Sequence, residues 1–358
     1  MGRAILRGIT RSGRWARAAD MARGKGWTRR GRKGRFRYFD AHGNEITEVP
    51  AVARIEALVI PPAWGEVWIS PRAGAKLQAT GVDAAGRRQY LYHADFRAAQ
   101  EQAKYDRLIL FAERLPAFRA AMSEHMEHDP LDRERVSAVA IRLINLGWFR
   151  VGSERYARES RTYGITTLLK RHVDVRGNRI RLCFRTKHGS QVRTTLVDDE
   201  LAASIRGLLA VPGGARVFRY EWEGDLYNLT SKRLNDYVKI YLGEEFTAKD
   251  FRTWGGTLLA AVALAERGPV ETETEEKRVL VAVMRRVADQ LGNTPAVTRA
   301  SYVSPAVIEQ YLDGRTIADF RPRHLRVVQA RRSGLDAEEQ ALLSLLRSWR
   351  IRRARIAA

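Results

Sequence analysis

The period of the apolar positions changes near residue 94 and divides the chain into two regions. In the first region, EVWIS (66–70) and RRQYLYH (87–93) are short, rich in β-branched and aromatic residues, and bounded by turn-forming residues, which predicts strands. AVARIEALVI (51–60) predicts a short helix that ends before Pro61-Pro62. We therefore expect a small, sheet-rich α+β domain over residues 35–97.

The second region, residues 98–358, predicts a larger and mainly helical domain that contains a β-hairpin. RERVSAVAIRLINLGWF (133–149) has apolar residues three and four positions apart, which is the spacing of one buried helix face. FTAKDFRTWGGTLLAAVALAER (246–267) begins with a threonine followed three positions later by an aspartate, which predicts a capped helix start. RIRLCFRTKHGSQVRTTLV (179–197) alternates, breaks at Lys-His-Gly and resumes, which predicts the hairpin.

One short segment, LGNTPAVTRASYVSP (291–305), places a tyrosine between two helix starts. Thr294-Pro295 and Ser304-Pro305 each have the residue pair that begins a helix, with a side chain that caps and a proline at the first helical position. Tyr302 therefore lies in the gap between two short helices. A tyrosine that fills a hole between helices is the plain interpretation when the segment is considered alone.

Charge changes this picture. The chain has 63 Lys and Arg against 41 Asp and Glu, which gives a net charge of +22. Residues 1–37 alone hold 13 basic residues and one acidic residue, so residues 1–34 are expected to form a flexible basic arm. An excess of this size indicates a polyanion as partner, and nucleic acid is the leading candidate.

Other features of composition narrow the setting. The longest apolar run, LLAAVALA (258–265), is far too short for a membrane span, and Cys183 is the sole cysteine, which excludes internal disulfides and multi-cysteine zinc sites. We expect a cytoplasmic, nucleoid-associated protein without a membrane partner. No phosphate-binding glycine loop is present. His125 and His128 have no further cysteine or histidine nearby and are interpreted as exposed polar residues, so no metal or cofactor is expected.

Metal-free cleavage of a phosphodiester requires a definite set of side chains. A tyrosine can form the covalent link, and arginines can hold the charge that develops on the phosphate oxygens. A lysine can protonate the departing 5′ oxygen, and one neutral donor completes the set. Each donor of this kind contributes about 10²–10³ in rate. Five residues could fill these roles: Arg150, Lys187, Arg252, Asn293 and Tyr302. Composition alone does not select them, because the chain has 63 Lys and Arg.

Several motifs, taken together, resemble those of a type IB DNA topoisomerase of the small bacterial and poxvirus-like branch. The resemblance extends from about residue 35 to beyond 340 and rests on GRRQYLYHADF, RLINLGWFRVGSERYA, GITTLLKRHV, FRTKHG, KDFRTWGGT and LGNTPAVTRASYVSP. It implies the five catalytic roles for Arg150, Lys187, Arg252, Asn293 and Tyr302. The family often has histidine where Asn293 stands, and asparagine can donate a hydrogen bond but cannot carry charge.

The resemblance also implies how the protein engages its substrate. It suggests that Gln89, Tyr90 and Tyr92 contact duplex DNA from the N-terminal domain and that Tyr156 does so from the catalytic domain. Tyr90 and Tyr92 share one face of a predicted strand, so burial in a core is the competing interpretation. The two basic domains are expected to form a clamp around DNA. Because one chain carries every required group, a monomer is the simplest assembly.

Two alternatives use the same observations. Tyrosine recombinases share the Arg, Lys, Arg and Tyr set but typically have histidine three positions before the second arginine, where this chain has Lys249. A non-catalytic basic protein that packages DNA or RNA would also fit the composition. The complete catalytic set argues against that second alternative.

Overall fold

The computed structural model describes residues 26–32, 34–321 and 334–357. The chain divides into two compact units, residues 1–104 and 105–358, and each is treated separately below. The predicted arm lies mostly in residues 1–25, which are outside the described residues. Among the described residues, no helix combines the length and the apolar character that crossing a membrane requires.

The first unit is an antiparallel five-stranded sheet with one short helix. In spatial order the strands are β2, β1, β3, β4 and β5. Helix α1 packs its one fully buried residue, Ile55, with Val67, Ile69 and Ala79 to form a small core. The elements have the following bounds: β1 Trp27–Arg32, β2 Arg35–Phe39, α1 Val49–Ala57, β3 Gly65–Ile69, β4 Leu77–Val82 and β5 Arg88–Tyr92.

Two strands of this sheet differ from the expectation. The sequence predicts a flexible arm over residues 1–34, but Trp27–Arg32 form strand β1. This strand pairs with both β2 and β3 and therefore lies inside the sheet. Strand β4 was not predicted, because its central residues are buried on both faces and its sequence does not alternate. Gln78 is buried there, where its side-chain amide donates to the carbonyls of Ala73 and Ala75, both at 2.6 Å.

The second unit is mainly helical and carries two small antiparallel sheets, which confirms the expected α+β class. One sheet has the order β6-β7-β8, and the other pairs β9 with β10. Its helices are α2 Ala94–Met126, within which the two units divide, α3 Arg133–Gly147, α4 Glu154–Glu159, α5 Asp199–Ala210, α6 Ser231–Tyr241, α7 Ala248–Arg267, α8 Glu273–Leu291, α9 Pro295–Ser301, α10 Pro305–Leu312 and α11 Ala337–Ala357. Its strands are β6 Val173–Arg176, β7 Arg179–Arg185, β8 Gln191–Val197, β9 Arg219–Trp222 and β10 Asp225–Asn228.

Local capping signals placed the helix boundaries correctly. Helix α7 begins at the predicted capping box, in which the Asp250 carboxylate accepts from the Thr247 backbone amide at 2.8 Å. Helix α8 ends at Gly292, whose left-handed conformation (φ 61°, ψ 45°) suits glycine. Thr294 and Ser304 cap α9 and α10, as the sequence predicts.

Aromatic side chains from α2 and α7 form the centre of the main core. Phe111 and Phe118 from α2 meet Phe251 from α7, with ring centroids 5.0 and 5.7 Å apart. All three side chains are fully buried, and burial of each contributes about 1.5–3 kcal/mol. Because Phe251 precedes Arg252, this packing fixes the part of α7 that carries the second candidate arginine.

The predicted hairpin is β7 and β8, and a third strand, β6, joins its outer edge. Ile180, Leu182 and Phe184 alternate into the core, which is the pattern that predicted the strand.

The interpretation of His125 as exposed is wrong. Its ring is largely buried at the end of α2, and its Nδ1 lies 2.8 Å from the Tyr237 hydroxyl.

A buried carboxylate attaches the last helix to α7. Glu339 accepts two hydrogen bonds of 2.7 Å from the Arg119 guanidinium and one of 2.9 Å from the Trp254 indole. Burial alone would raise the pKa of the Glu339 carboxyl, but the hydrogen bonds and charge of Arg119 outweigh it and hold that pKa below its ordinary value. Trp254 lies two residues after Arg252, so this network supports the same turn of α7.

We expect Glu339→Gln to lower the free energy of unfolding by about 3 kcal/mol, because it leaves the buried Arg119 charge without a carboxylate. Glu338→Gln is the matched control. The ion pair of Glu338 with Arg321 is largely exposed, so its loss should cost less than about 1 kcal/mol. Urea denaturation of both variants tests this. Equal effects would contradict a stabilising role for the buried network.

Candidate active site

The candidate site is built around the turn that follows α8. Leu291 ends the helix, Gly292 adopts the left-handed conformation, and the chain then passes through Asn293 into α9. The carbonyls of Leu291 and Gly292 therefore point away from the helix ladder and are available to donors from elsewhere. Two arginines distant in sequence, Arg150 and Arg252, supply those donors.

Arg150 reaches this turn from the segment after α3. Helix α3 ends at Trp148, whose left-handed backbone (φ 50°, ψ 33°) turns the chain toward the site. The Arg150 guanidinium donates to the Gly292 carbonyl at 2.5 Å, to the Asn293 side-chain oxygen, and to the Thr186 hydroxyl at 3.1 Å. Burial lowers the pKa of Arg150, and the charge of Arg252 lowers it further.

Arg252 approaches the turn from α7. It is only 4% exposed and donates to the Trp148 carbonyl and, at 2.9 Å, to the Leu291 carbonyl. Its Nε is buried without a hydrogen-bond partner among the described residues. Burial lowers the pKa of Arg252, and the phenol of Tyr302 acts in the opposite direction. The two guanidiniums thus lie at one turn and are bound chiefly by neutral acceptors.

Tyr302 lies between α9 and α10, as the sequence predicts, and its half-buried ring packs against the edge of the main core. The guanidinium carbon of Arg252 is 5.0 Å from its ring centroid. The amino group of Lys249, one turn earlier on α7, is 5.9 Å from the same centroid. The phenol ring is therefore beside two cationic side chains, of which the sequence interpretation had assigned only Arg252 to the site.

Two glycines in α7 allow other segments to approach the helix closely, the tyrosine segment at Gly256 and Trp148 at Gly255. A Cβ on Gly256 would lie 2.7 Å from the Tyr302 carbonyl oxygen, and one on Gly255 would lie 2.2 Å from the Trp148 indole. The Thr257 hydroxyl donates to the same Tyr302 carbonyl at 3.2 Å. Glycine in a helix interior costs about 1 kcal/mol relative to alanine. Two consecutive glycines inside a helical pattern are therefore a signal in the sequence that another segment approaches the helix closely.

Asn293 lies inside the cluster. Its side-chain oxygen accepts from Arg150, which directs its amide nitrogen elsewhere, and that Nδ2 is buried with no partner among the described residues. Buried polar groups are almost always hydrogen-bonded, so this donor is one that a bound ligand or a water molecule could fill. Asn293 Nδ2 and Arg252 Nε are two such donors from one site.

Lys187 is placed differently from the other four. It begins the 3₁₀ turn Lys187–Gly189 at the tip between β7 and β8, and its side chain is exposed. The preceding residue, Thr186, is buried and accepts from Arg150, so the tip is attached to the site through its neighbour. Thr186 was not singled out in the sequence, and an isolated threonine before a hairpin turn gave no signal that could have identified it.

The candidate DNA-contacting residues divide between the two units. In the first unit, Tyr90 and Tyr92 are 39% and 38% exposed and stack with centroids 6.3 Å apart. Leu91 between them packs on the small core, so the tyrosines occupy the outer face and burial in the core is excluded. Gln89 donates to the Asp83 carboxylate at 2.8 Å. In the second unit, Tyr156 is half-buried in α4.

The arrangement can bind an oxyanion next to a phenol. Two guanidiniums, one buried amide donor and a tyrosine ring are gathered at one turn, with no carboxylate recorded as their partner in the described part of the chain. Planar guanidiniums suit phosphate oxygens because they present paired donors and stay charged. Within residues 26–32, 34–321 and 334–357, no three His, Cys, Asp or Glu side chains cluster in a way that could hold a metal ion.

Comparison with known proteins gives consistent matches over both units. A family model described as "Eukaryotic DNA topoisomerase I, catalytic core" matches residues 93–319, and one described as "Bacterial DNA topoisomerase IB, N-terminal domain" matches residues 35–83. The chain is 33% identical over 286 residues to DNA topoisomerase 1B of Acanthamoeba polyphaga mimivirus, which covers 77% of this chain and 84% of the relative. It is 21% identical over 263 residues to DNA topoisomerase I of Monkeypox virus and DNA topoisomerase 1B of Vaccinia virus (strain Copenhagen), covering 72% of this chain and 78% of each relative.

The site geometry predicts that a tetrahedral anion stabilises the free protein. Sulfate replaces chloride at constant ionic strength, at a concentration about ten times the Kd for sulfate. The free energy of unfolding should then rise by about 1.4 kcal/mol and Tm by about 4 °C. Arg252→Gln should remove most of that shift. Arg233→Gln, a change at an exposed position of α6, should leave it intact. Thermal denaturation with each salt measures the shift, and equal shifts in both variants would place the anion elsewhere.

Proposed function

The chain belongs to the type IB DNA topoisomerase family, and we propose that it relaxes supercoiled duplex DNA through a transient bond between Tyr302 and a DNA 3′ phosphate. The observation that carries this proposal is the meeting of Arg150, Arg252 and Asn293 beside Tyr302 at the turn after α8. These residues supply an anion site and a nucleophile in one place.

Binding of the scissile phosphate would come first. The non-bridging oxygens would accept from the two guanidiniums and from the free Nδ2 of Asn293, filling donors that are unpaired in the free protein. Charge on these oxygens grows as the phosphorus becomes five-coordinate. The donors are already oriented and partly buried, so they stabilise the transition state more than the ground state.

Cleavage then exchanges one phosphoester for another. The Tyr302 oxygen forms a bond to phosphorus and releases its proton to solvent water, while the bond from phosphorus to the 5′ oxygen breaks. An alkoxide is a poor leaving group, and we propose that Lys187 transfers a proton to it from the exposed hairpin tip. Asn293 takes part as a neutral donor and not as an acid, because an amide does not titrate in the working range.

Strand cleavage is reversible because the energy of the broken phosphodiester is kept in the bond between tyrosine and phosphate. The 5′ end is free to rotate about the intact strand, and its hydroxyl later attacks the phosphotyrosine, restoring the phosphodiester and the tyrosine. Since each step exchanges one ester for another, neither ATP nor a metal ion is required by this mechanism.

DNA contacts outside the chemical site are part of the same proposal. The exposed and stacked pair Tyr90 and Tyr92 can contact bases or sugars, and Gln89 and Tyr156 remain candidates for further contacts. We propose that both basic regions engage duplex DNA, so that affinity falls steeply with salt. One chain supplies every proposed group, so a monomer associated with chromosomal DNA suffices.

The alternatives are less well supported. Both family models and the viral relatives described above are topoisomerases, which favours relaxation over recombination. Lys249, at the position where recombinases have histidine, faces the Tyr302 ring at 5.9 Å. A non-catalytic packaging role does not account for membership of an enzyme family or for two buried arginines beside a tyrosine.

Tyr302→Phe should abolish both plasmid relaxation and the covalent protein–DNA complex trapped by denaturant, because it removes the nucleophilic oxygen. Wild type should relax plasmid fully in chelator without ATP. Tyr227→Phe, which removes an exposed phenol on β10, is the control and should behave as wild type. Relaxation by Tyr302→Phe would refute the assignment of the nucleophile.

Lys187→Ala should slow cleavage of ordinary DNA by about 10²–10⁴ because the 5′ oxygen leaves without a proton. A duplex with sulfur in place of that bridging oxygen, at a cleavage site mapped beforehand, has a leaving group that needs no proton. On this substrate the loss should shrink to about tenfold or less. Arg193→Ala, at an exposed position of β8, is the control. An equal loss on both substrates would show that Lys187 binds DNA and does not donate the proton.

A further inference from the structure

The hairpin formed by β9 and β10 is more exposed and more apolar than its role in the fold requires. Every residue from Glu221 to Asn228 is exposed, and three large side chains are among them: Trp222 at 59%, Leu226 at 41% and Tyr227 at 45%. Trp222 and Tyr227 share one face of the hairpin, and Leu226 lies on the opposite face. Single exposed apolar residues are common on proteins, but two large exposed rings on one face of a small element indicate an interaction surface.

The base of the hairpin is firmly attached, so this exposure is not fraying. Tyr220 is buried and stacks on Tyr227 with centroids 6.0 Å apart. The Glu221 amide donates to the Leu131 carbonyl at 2.8 Å, and Leu229 is fully buried after the second strand. The protein therefore holds Trp222 and Leu226 out in solvent at a fixed position.

Among the described residues, no strand pairs with the outer edge of β10. The Leu229 amide bonds to the Phe218 carbonyl, and hydrogen-bonded pairs alternate along an antiparallel ladder. The backbone groups of Leu226 and Asn228 therefore turn away from β9. Natural edge strands are commonly protected by short length, charged side chains, proline or a bulge. Strand β10, DLYN, is short and carries Asp225, so a strand that pairs with it has to offset that negative charge.

The exposed part of the hairpin has a charge opposite to that of the chain. Residues 221–228 contain three acidic and no basic side chains, a local charge of −3 in a protein of +22, while the one basic residue of β9, Arg219, is buried. Trp222 lies directly opposite Asp225 in the ladder, on the face that also carries Tyr227. An aromatic ring beside a carboxylate is a good receptor for a guanidinium or ammonium group, which can stack on the ring and pair with the charge.

We propose that this hairpin is a docking site for a basic, extended segment of a partner protein, which pairs with the β10 edge and places alternate Lys or Arg side chains over Trp222 and Asp225. Main-chain pairing at a sheet edge provides affinity, and alternate side chains provide specificity. Duplex DNA is a poor occupant because its phosphates are repelled by Glu221, Glu223 and Asp225. Docking would thus leave the basic surfaces free for DNA.

The test uses the full chain and a labelled synthetic peptide of alternating arginine and valine, with an alternating glutamate and valine peptide as its counterpart. Fluorescence anisotropy should show binding of the first peptide, whereas any binding of the second to the basic surfaces should not respond to changes in the hairpin. Trp222→Ala and the triple change Glu221→Gln, Glu223→Gln, Asp225→Asn should each weaken binding by about tenfold or more.

The matched control removes the same number of charges elsewhere. Glu271→Gln, Glu273→Gln, Glu275→Gln alters three exposed residues at the start of α8 and should change binding by less than about twofold. Plasmid relaxation should be unchanged in all these variants, which shows that they are folded. Failure of the basic peptide to bind, or equal weakening in the control, would overturn the proposal. Wild type that self-associates, with self-association abolished by Trp222→Ala, would overturn it in favour of a second copy of the chain.

Discussion

The site depends on two backbone carbonyls that hold two like charges together. Leu291 and Gly292 accept hydrogen bonds from Arg252 and Arg150, whose guanidiniums would otherwise repel one another in a partly buried place. Neutral carbonyls bind the cations without cancelling their charge, as a carboxylate would. The positive charge is therefore not neutralised by these contacts, and Arg252 Nε and Asn293 Nδ2 have no hydrogen-bond partner among the described residues.

Ordinary packing keeps this arrangement rigid. Phe251 and Trp254 flank Arg252 on α7, the first in the aromatic core and the second bound to the buried Glu339 carboxylate. Gly256 lets the backbone of Tyr302 lie against the same helix. The proposed nucleophile and the second arginine are thus positioned by one helix, so their separation does not depend on a flexible loop. Preorganisation of this kind is the largest usual contribution to enzymatic rate.

Features set by neighbouring residues were predictable from sequence, and features set by distant residues were not. The start of α7 and the two proline-led helices around Tyr302 follow from local caps, and the structure has them where expected. Strand β4 is buried on both faces and so lacks the alternation that marks a strand. The five candidate site residues were named through family resemblance. Their contacts with Thr186 and the Leu291 carbonyl arise only when segments more than 30 positions apart meet.

The confinement of the proposed site to one unit has a consequence for specificity. All five candidate catalytic positions fall between 150 and 302, inside the unit of residues 105–358, whereas the exposed tyrosine pair belongs to the unit of residues 1–104. The proposed chemistry and part of the proposed DNA recognition thus lie in different compact units. If both proposals hold, substitutions in the smaller unit would alter the choice of DNA sequence and the lifetime of the complex while the bond-exchange step stayed the same.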